Sequence, residues 1–397
     1  MDAGVDVVVI GAGAAGLSLA RRLTDPRTRA RRPLTVALVD APRGPLRPGP
    51  RTWCYWEPAG GEYDAVVRAS WDRVRVTGPD GTTVLGDPGP LRYKMIRSPD
   101  FERWADAELA RSGCLRREAV VDGVRDGPGG AEVHGRDAQG RPVRLTARWV
   151  FDSRPPGRPG PARTTLLQHF RGWFVRTSRP AFEPGVADLM DFRTPQPPHG
   201  LAFGYVLPFG PSEALVEYTE FSGAVLADDA YDRALAHYAD EVLALGAYEV
   251  TEVEQGVITM TDARFPRRVG RSVFPLGVAG GATRPATGYS FAATQRHTRA
   301  IAAALARGRT PLVPAPHGAR ARAMDAVLLR ALDTGRVDGA ALFTGLFEKV
   351  PAERLLRFLD GRTSAPEDVA VGLRTPVRPM LRTALELPFL TRRPAGP

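Results

Sequence analysis

The sequence predicts an α/β fold in which a parallel-sheet unit is interrupted by a second, β-rich domain and followed by a helical region. Three observations support this prediction. A strand, a glycine turn and a helix follow one another near the N-terminus, the same order returns after residue 270, and segments of alternating polarity lie between the two. The chain of 397 residues, 43% of them hydrophobic, is long enough to bury a large core and to form more than one domain.

The first glycine turn begins with an apolar strand that runs into the pattern Gly-x-Gly-x-x-Gly, formed by Gly11, Gly13 and Gly16. In a nucleotide-binding fold the first glycine permits the tight turn, the second lets a pyrophosphate approach bare backbone, and the third lets the next helix pack close. A second apolar segment, 34–39, ends at Asp40, where a carboxylate can bind the ribose hydroxyls. We therefore predict that this region binds an adenine dinucleotide, either FAD or NAD.

The second glycine turn follows the apolar segment 272–279 and contains Gly280 and Gly281, and Thr287 and Gly288 then precede a helical pattern. Two such units on either side of a β-rich insert are typical of flavoproteins. The first would bind the ADP half of FAD, and the second would close on the ribityl chain and the isoalloxazine ring. The arrangement favours FAD over NAD as the resident cofactor and predicts a Rossmann-type FAD-binding fold similar to that of flavoprotein hydroxylases.

The predicted domain limits follow from these motifs. Residues 1–163 form the first part of the FAD-binding domain, 164–265 the β-rich substrate and catalytic domain, 266–310 the second part of the FAD-binding domain, and 311–397 a helical C-terminal region. A proline-rich connector, 155–161, marks the first boundary.

Within the β-rich domain the pattern predicts a hairpin. Two apolar segments, 201–208 and 214–221, are separated by a short loop that contains glycine and proline. A helical pattern over 228–246 follows the second strand.

The net charge of +10 arises almost entirely from arginine, since Lys94 and Lys349 are the two lysines. The arginines are scattered along the chain, whereas nucleic-acid binding favours clustered basic residues with interleaved aromatic side chains. We therefore expect no nucleic-acid partner, and attraction to an anionic membrane surface fits the charge better. Two cysteines and six histidines show no metal-ligand spacing, so we expect no metal site and no disulfide framework.

Six segments, in order along the chain, resemble the flavin-dependent lycopene cyclases of bacteria and plants. They are 51–57 (RTWCYWE), 188–193 (DLMDFR), 205–209 (YVLPF), 215–220 (LVEYTE), 254–260 (EQGVITM) and 280–290 (GGATRPATGYS). The resemblance extends from about residue 5 to about residue 375. It departs at three places: Asp40 replaces a more usual Glu, the usual Asp-x-Arg-Gly ends in Pro155, and Tyr218 stands where plant members have a second Glu.

The resemblance implies a cyclase that forms β-ionone rings at the ends of lycopene or a related linear carotenoid. In that chemistry an acid protonates the terminal double bond, a neighbouring π bond attacks the tertiary cation, and loss of a proton completes the ring. The reaction causes no net redox change, yet it requires reduced FAD, for which NAD(P)H would be the external reductant. It needs a carboxylic acid kept protonated in an apolar site, aromatic faces for the cation, and walls that exclude water.

Two carboxyl groups are the catalytic candidates. On a strand, Glu217 shares one face with Leu215 and Thr219, which is a suitable setting for a protonated acid, and the resemblance gives it the role of the catalytic acid. Asp191 lies in another matched segment. It is either a second proton donor or a residue that positions Arg193 or a strand turn.

The aromatic residues Trp53, Tyr55 and Trp56 are candidate substrate-lining residues. They could form part of a polyene tunnel and present aromatic faces to a cation. The alternative is that they belong to the ordinary hydrophobic core.

Three other functions remain open. The same acid chemistry could cyclise another linear terpenoid, because the sequence does not reveal the length of the pocket. A flavin monooxygenase acting on a hydrophobic molecule is the second, although Gly281 stands where such enzymes typically carry an Asp. The third is a carotenoid-binding or membrane-binding protein without catalytic activity, and for that protein Glu217→Gln would cause no loss of function.

A long polyene hydrocarbon is essentially insoluble in water, so a cyclase would collect it from a bilayer. No segment reaches the length of about 18 uncharged apolar residues that a membrane span requires, and no signal peptide is recognised, so we expect a cytoplasmic protein that binds the membrane peripherally. The C-terminal segments 341–347, 355–359 and 385–390 are candidates for that contact, although their apolar faces could equally pack on the core.

Overall fold

The computed structural model describes residues 4–28, 33–42, 44, 46–47, 49–155, 157 and 160–394. In these residues the strands are β1 Gly4–Ile10, β2 Val36–Asp40, β3 Thr52–Pro58, β4 Ala69–Trp71, β5 Arg73–Thr77, β6 Thr83–Gly86, β7 Leu91–Arg97, β8 Leu115–Glu118, β9 Val120–Gly127, β10 Gly130–Arg136, β11 Pro142–Asp152, β12 Thr165–Thr177, β13 Val186–Asp191, β14 Leu201–Gly210, β15 Glu213–Ser222, β16 Tyr248–Thr261 and β17 Val273–Pro275. The α-helices are α1 Ala14–Thr24, α2 Ser98–Ala110, α3 Asp228–His237, α4 Phe291–Ala306, α5 Ala319–Asp333, α6 Gly339–Lys349, α7 Ala352–Leu359, α8 Ala365–Gly372 and α9 Val377–Glu386. Pro156, Arg158 and Pro159 of the predicted proline-rich connector lie outside the described residues.

The first sheet contains both predicted glycine turns. Its order is β8-β2-β1-β11-β10-β9, and β17 pairs with the end of β11. β1 runs parallel to β2 and to β11, and α1 connects β1 to β2. Val7, Val8 and Val9 are all fully buried, as expected for a central parallel strand that is covered on both faces.

The second sheet has the order β16-β12-β15-β14-β13-β5-β6 and is antiparallel except at the pairing of β13 with β5. The hairpin of β14 and β15 forms its centre and joins the segments that the alternating pattern predicts. Leu201 and Phe203 of β14 face one core cluster, whereas Ala202 and Val206 face another on the opposite side. The alternation therefore gives this sheet two buried faces with different neighbours.

Two of these strands come from an unexpected part of the chain. β5 and β6 lie within the predicted FAD-binding segment 1–163, yet they form one edge of the second sheet. A third, small sheet with the order β3-β7-β4 lies beside them. The amino-acid pattern identifies such short strands but does not specify which sheet they join, because pairing depends on residues far apart in the chain.

The helix predicted over 228–246 is shorter in the structure. α3 ends at His237, and a single turn of π-helix, Tyr238–Val242, follows it. This turn places the buried Tyr238 ring against Gly204 of β14, where a Cβ atom would overlap the ring. The close packing of an aromatic ring on a bare strand gives a physical reason for the irregular end of the helix.

The C-terminal helices cover the face of the second sheet that carries Leu201 and Phe203. Leu342, Phe343, Leu346 and Phe347 of α6 belong to the shared core cluster, as do Leu355 and Leu356 of α7. The segments 341–347 and 355–359, which the sequence offered for membrane contact, therefore use their apolar residues mainly to pack on this sheet. Among the described residues no helix combines the length and the apolar character that crossing a bilayer requires.

Candidate functional site

A cavity lies between the second sheet and the C-terminal helices. Its lining is mostly apolar and aromatic. Strands β12 to β16 form one wall, and α6 and the end of α7 form another. The residues that matter for the chemistry are Thr52, Trp53, Phe203, Glu217, Thr219, Glu254, Thr287 and Gly288.

Glu217 is the predicted acid, and it lies in this wall on β15. Its neighbours Leu215, Thr219 and Phe221 face the same side, as the strand period requires. The Thr219 hydroxyl donates a hydrogen bond of 2.6 Å to Glu217 Oε1. Burial raises the pKa of the Glu217 carboxyl to about 8; the negative charge of Glu254 adds to the increase, and the Thr219 hydrogen bond opposes it. The side chain is therefore protonated at neutral pH.

Glu254 is a further residue of this site, which the sequence does not single out although it begins one of the matched segments. It is buried on β16 and lines the same cavity. Thr52 donates to both of its oxygens, through the backbone N–H at 2.7 Å and through the hydroxyl at 2.5 Å. This is the bonding pattern of a carboxylate that only accepts. The signal was present in the segment 254–260, but only the pairing of the strands places it next to Glu217.

The structure does not bring Asp191 together with Glu217. Asp191 pairs with Gly204 on β14, and its side chain lies against Tyr238 on the opposite face of the sheet. Arg193 donates to both carboxylate oxygens, with N···O distances of 2.9 and 2.6 Å, and the Tyr238 hydroxyl donates at 3.0 Å. Of the two roles that the sequence left open, these contacts match the positioning of Arg193 and not proton donation into the cavity.

The three aromatic candidates are also divided. Trp53 lines the cavity and packs against Phe291 and Phe101. Tyr55 is buried in the core of the first unit, and Trp56 is buried against Tyr289. The alternation of β3 places Trp53 and Tyr55 on one face, where both contact Phe291, and Trp56 on the other. Of the three, Trp53 lines the cavity.

Tyrosine hydroxyls form a buried chain beside the cavity. The Tyr93 hydroxyl is 2.7 Å from the hydroxyls of both Tyr205 and Tyr289, and Tyr205 donates to Cys54 Sγ at 3.2 Å. Burial raises the pKa of the Cys54 thiol to about 12. All four groups are therefore neutral, and the chain provides polar contacts without a charge.

The first glycine turn has the geometry of a pyrophosphate site. Gly11 has a φ of 91°, in the left-handed region that favours glycine, and a Cβ atom at Gly16 would overlap the carbonyl oxygen of Gly11. A Cβ atom at Gly13 would meet no protein atom within 4 Å, so the backbone at the start of α1 faces open space. Asp40 accepts a hydrogen bond from the backbone N–H of Ala12 at 3.1 Å and forms an ion pair with Arg47.

The second glycine turn meets the cavity. Gly280 and Gly281 end a short 3₁₀ turn after β17. Thr287 and Gly288 lie further along and belong to the cavity lining. The Thr287 hydroxyl is buried and has no hydrogen-bond partner among the described residues. A donor and acceptor left unsatisfied beside a cavity fits a bound polar ligand such as the flavin ring or its ribityl chain.

The two glycine turns, the interrupting sheet and the buried acid define a class: a protein with the Rossmann-type flavoprotein fold whose second sheet carries an apolar cavity. Comparison with solved structures confirms the predicted fold class. The geranylgeranyl bacteriochlorophyll reductase-like protein of Thermoplasma acidophilum has a TM-score of 0.69 at 14% identity, covering 98% of this chain and 100% of that one. The p-nitrophenol 4-monooxygenase of Pseudomonas putida has a TM-score of 0.61 at 15% identity, covering 99% of this chain and 100% of that one.

Sequence comparison is more specific. The family described as lycopene cyclase protein matches residues 6–385. The lycopene beta-cyclase of Paracoccus sp. (strain N81106 / MBIC 01143) is 30% identical over 310 residues, which cover 72% of this chain and 70% of that protein. The chain therefore belongs to the lycopene cyclase protein family. This membership confirms the family resemblance and the prediction of an enzyme.

Proposed function

We propose that the protein closes β-ionone rings at the ends of lycopene or a related linear carotenoid and that it does so with reduced FAD bound. The observation that carries the proposal is Glu217, a carboxylic acid that stays protonated at neutral pH and lines an apolar cavity. To protonate an isolated alkene, the acid must still hold its proton when the substrate binds and must then transfer it to carbon.

The residues that would hold FAD belong to the two glycine turns. Gly11, Gly13 and Gly16 would leave the N-terminus of α1 open to the pyrophosphate, and Asp40 would bind the ribose hydroxyls. The unsatisfied Thr287 hydroxyl and the bare backbone of Gly288 would meet the other half of the cofactor. When bound, reduced FAD would supply an electron-rich ring able to stabilise positive charge. NAD(P)H is the proposed external reductant.

The proposed reaction starts at Glu217. Its O–H bond breaks as a proton moves to the terminal double bond, which leaves a tertiary carbocation on the substrate and a carboxylate on the protein. A neighbouring π bond attacks the cation and closes the ring. The aromatic faces of Trp53 and Phe203, which line the cavity, favour a positive charge beside them.

Loss of a proton then ends the reaction, and we assign Glu254 as the acceptor. A proton leaves the ring carbon next to the cation, the C–H electron pair becomes the ring double bond, and Glu254 becomes a carboxylic acid. Transfer of this proton from Glu254 to Glu217 restores both groups. The substrate gains and loses one proton, so the product is an isomer and no electrons are exchanged.

The test is anaerobic incubation of the purified protein with liposomal lycopene, FAD and either NADPH or dithionite, with products separated by HPLC. We expect rings only with reduced flavin, and we expect Glu217→Gln to slow their formation by about 10²- to 10⁴-fold. Glu220→Gln is the matched control, because Glu220 lies on the same strand but faces away from the cavity. Equal activity of wild type and Glu217→Gln would refute the acid assignment.

The same experiment separates the alternatives. Shorter linear polyprenoids are supplied in parallel, and rings formed on them but not on lycopene would make the protein a cyclase of another terpenoid. Oxygen uptake that depends on NADPH and substrate, without any ring product, would instead support a flavin monooxygenase.

We also propose that the protein takes its substrate from a membrane. A linear carotenoid resides in lipid, so an enzyme that acts on it would bind the cytoplasmic membrane surface peripherally. The arginine-rich composition and the exposed Leu385 and Phe389 of the segment 385–390 support this association.

A further inference from the structure

Six large apolar side chains are exposed along the C-terminal helices. They are Val369 on α8, Leu373 just after its end, Val377, Leu381 and Leu385 on α9, and Phe389 in the turn that follows. Each is four residues after the one before, and their exposed fractions run from 44% to 89%. We call these six residues the apolar row. Val377, Leu381 and Leu385 share one face of α9 because they lie four residues apart, and exposed apolar side chains grouped in this way are typical of a contact surface.

The apolar row does not belong to the core. The opposite side of α8 and α9 makes the internal contacts: Val371 and Thr383 are buried, and Met380 packs against the core cluster of the second sheet. α8 and α9 are thus already anchored by one face, and the apolar row is the other. Each of the two helices therefore packs on the molecule with one side and exposes apolar side chains on the other.

Positive charge accompanies the apolar row. Arg374, Arg378 and Arg382 each follow a residue of the row by one position, and all three are exposed. Among the described residues none of them has a carboxylate within ion-pair distance.

The acidic groups of the same segment are already neutralised. Glu367 pairs with Arg357, Asp368 with Arg320, and Glu386 with Arg330 and Arg336. The surface around the apolar row therefore carries net positive charge. Apolar side chains flanked by arginines match a bilayer that contains anionic lipids.

The position of this surface relates it to the cavity. α6 and α7 belong to the same helical layer, and they contribute Phe343, Phe347 and Leu359 to the cavity lining. α8 packs against α7, and α9 packs against α5. The layer thus has the cavity on its inner side and the apolar row on its outer side.

We propose that the apolar row and its three arginines are the surface by which this protein docks on anionic phospholipid bilayers. The apolar side chains enter the lipid boundary and the guanidinium groups contact lipid phosphates. The role of this docking in substrate supply rests on the proposed cyclase function, whereas the docking itself does not. Accordingly, the first experiment contains no carotenoid.

Binding is measured by co-sedimentation with vesicles of phosphatidylcholine alone and of phosphatidylcholine mixed with phosphatidylglycerol. We expect wild type to bind the mixed vesicles and Leu381→Asp/Leu385→Asp to bind them at least about tenfold more weakly. Leu85→Asp is the matched control, because Leu85 is a similarly exposed leucine on β6. Arg378→Glu/Arg382→Glu should remove the preference for phosphatidylglycerol. Thermal denaturation of each variant verifies that it is folded.

Sedimentation velocity and an activity assay complete the test. A wild-type dimer that Leu381→Asp/Leu385→Asp dissociates, with no vesicle binding by either protein, would make the row a contact between two copies and overturn the proposal. Equal vesicle binding by wild type and this variant would also overturn it. In the assay, the variant should lose ring formation on liposomal lycopene and retain it on detergent-dispersed lycopene. Vesicle binding without rings in either assay would refute the cyclase function and leave the docking surface intact.

Discussion

Glu217 and Glu254 flank the same glycine. In the second sheet both are paired with Gly172 of β12, Glu217 from β15 on one side and Glu254 from β16 on the other. A Cβ atom at Gly172 would lie 3.5 Å from Glu217 Oε2. The same Cβ atom would lie 2.8 Å from Leu215 Cδ1, so a side chain at Gly172 would press on the wall that carries Glu217. The negative charge of Glu254 helps to raise the pKa of the Glu217 carboxyl.

The pH dependence of ring formation follows from the raised pKa of Glu217. Only the protonated form can donate, so the rate should be constant below pH 8 and fall about tenfold per unit above it. The measurement is initial rate at saturating substrate across pH 6–10, with the flavin reduced by dithionite. A rate that rises with pH over this interval would contradict the assignment of Glu217 as the acid.

The same pKa has a consequence for stability. Glu217 is easier to ionise in the unfolded chain, where its pKa has the ordinary value of 4.5, than in the folded protein. Its contribution to the free energy of unfolding is therefore complete below pH 4.5 and is lost as pH rises towards 8. Glu217→Gln should raise Tm relative to wild type at pH 8 and have less effect at pH 5, as measured by thermal denaturation.

Replacing Glu254 by glutamine should change two quantities together. Removing the negative charge makes Glu217 easier to ionise, so the alkaline fall in rate should move to lower pH. Removing the proposed acceptor should also slow ring formation by about 10²-fold or more. The glutamine carbonyl can still accept from Thr52, so Tm should change little. An unchanged rate with an unmoved pH profile would mean that Glu254 acts only by holding Thr52.

The two glycines of the first turn should respond differently to alanine. Gly13→Ala adds a methyl group where the protein itself leaves open space, so the apoprotein should keep its Tm while FAD affinity falls about tenfold or more. Gly16→Ala would push against the Gly11 carbonyl and should lower the stability of the apoprotein. Flavin fluorescence quenching measures the first effect, and thermal denaturation of the apoprotein measures the second. Equal FAD affinity in Gly13→Ala and wild type would contradict the assigned pyrophosphate site.

Asp191→Asn should affect stability more than catalysis. The change weakens the contacts with Arg193 and Tyr238 on the far face of the sheet and should cost about 2 kcal/mol of unfolding free energy. Turnover per folded molecule should stay close to that of wild type. A stable variant that lacks activity would instead support Asp191 as a proton donor.

Local patterns in the sequence were sufficient for much of this description. The strand and glycine spacing predicted the first βαβ unit, and the alternation around Glu217 predicted which of its neighbours share its face. The pattern could not show that β5 and β6 join the second sheet, nor that Asp191 and Glu217 lie on opposite faces of it. Both facts depend on strand pairing between residues far apart in the chain, on which the local spacing carries no information.

The contacts of Glu254 also depend on strand pairing between distant parts of the chain. Glu254 became a site residue because β16 lies next to β12 and because Thr52 of another sheet reaches its oxygens. The exposed row of α8 and α9 was likewise hidden, because helical periodicity alone does not show which side of a helix faces the core. The sequence offers the C-terminal tail for membrane contact, but it does not single out Val369 and Leu373.

The apolar lining of the cavity also bears on how cleanly the proposed reaction ends. In water a tertiary carbocation is captured as an alcohol, whereas between Trp53, Phe203 and their neighbours it can only surrender a proton. The ratio of ring product to hydrated product therefore measures how well the cavity excludes water. Substituting Phe203 or Leu215 by a smaller residue would admit water. The yield of hydrated, uncyclised carotenoid would then measure how much water reaches the cation.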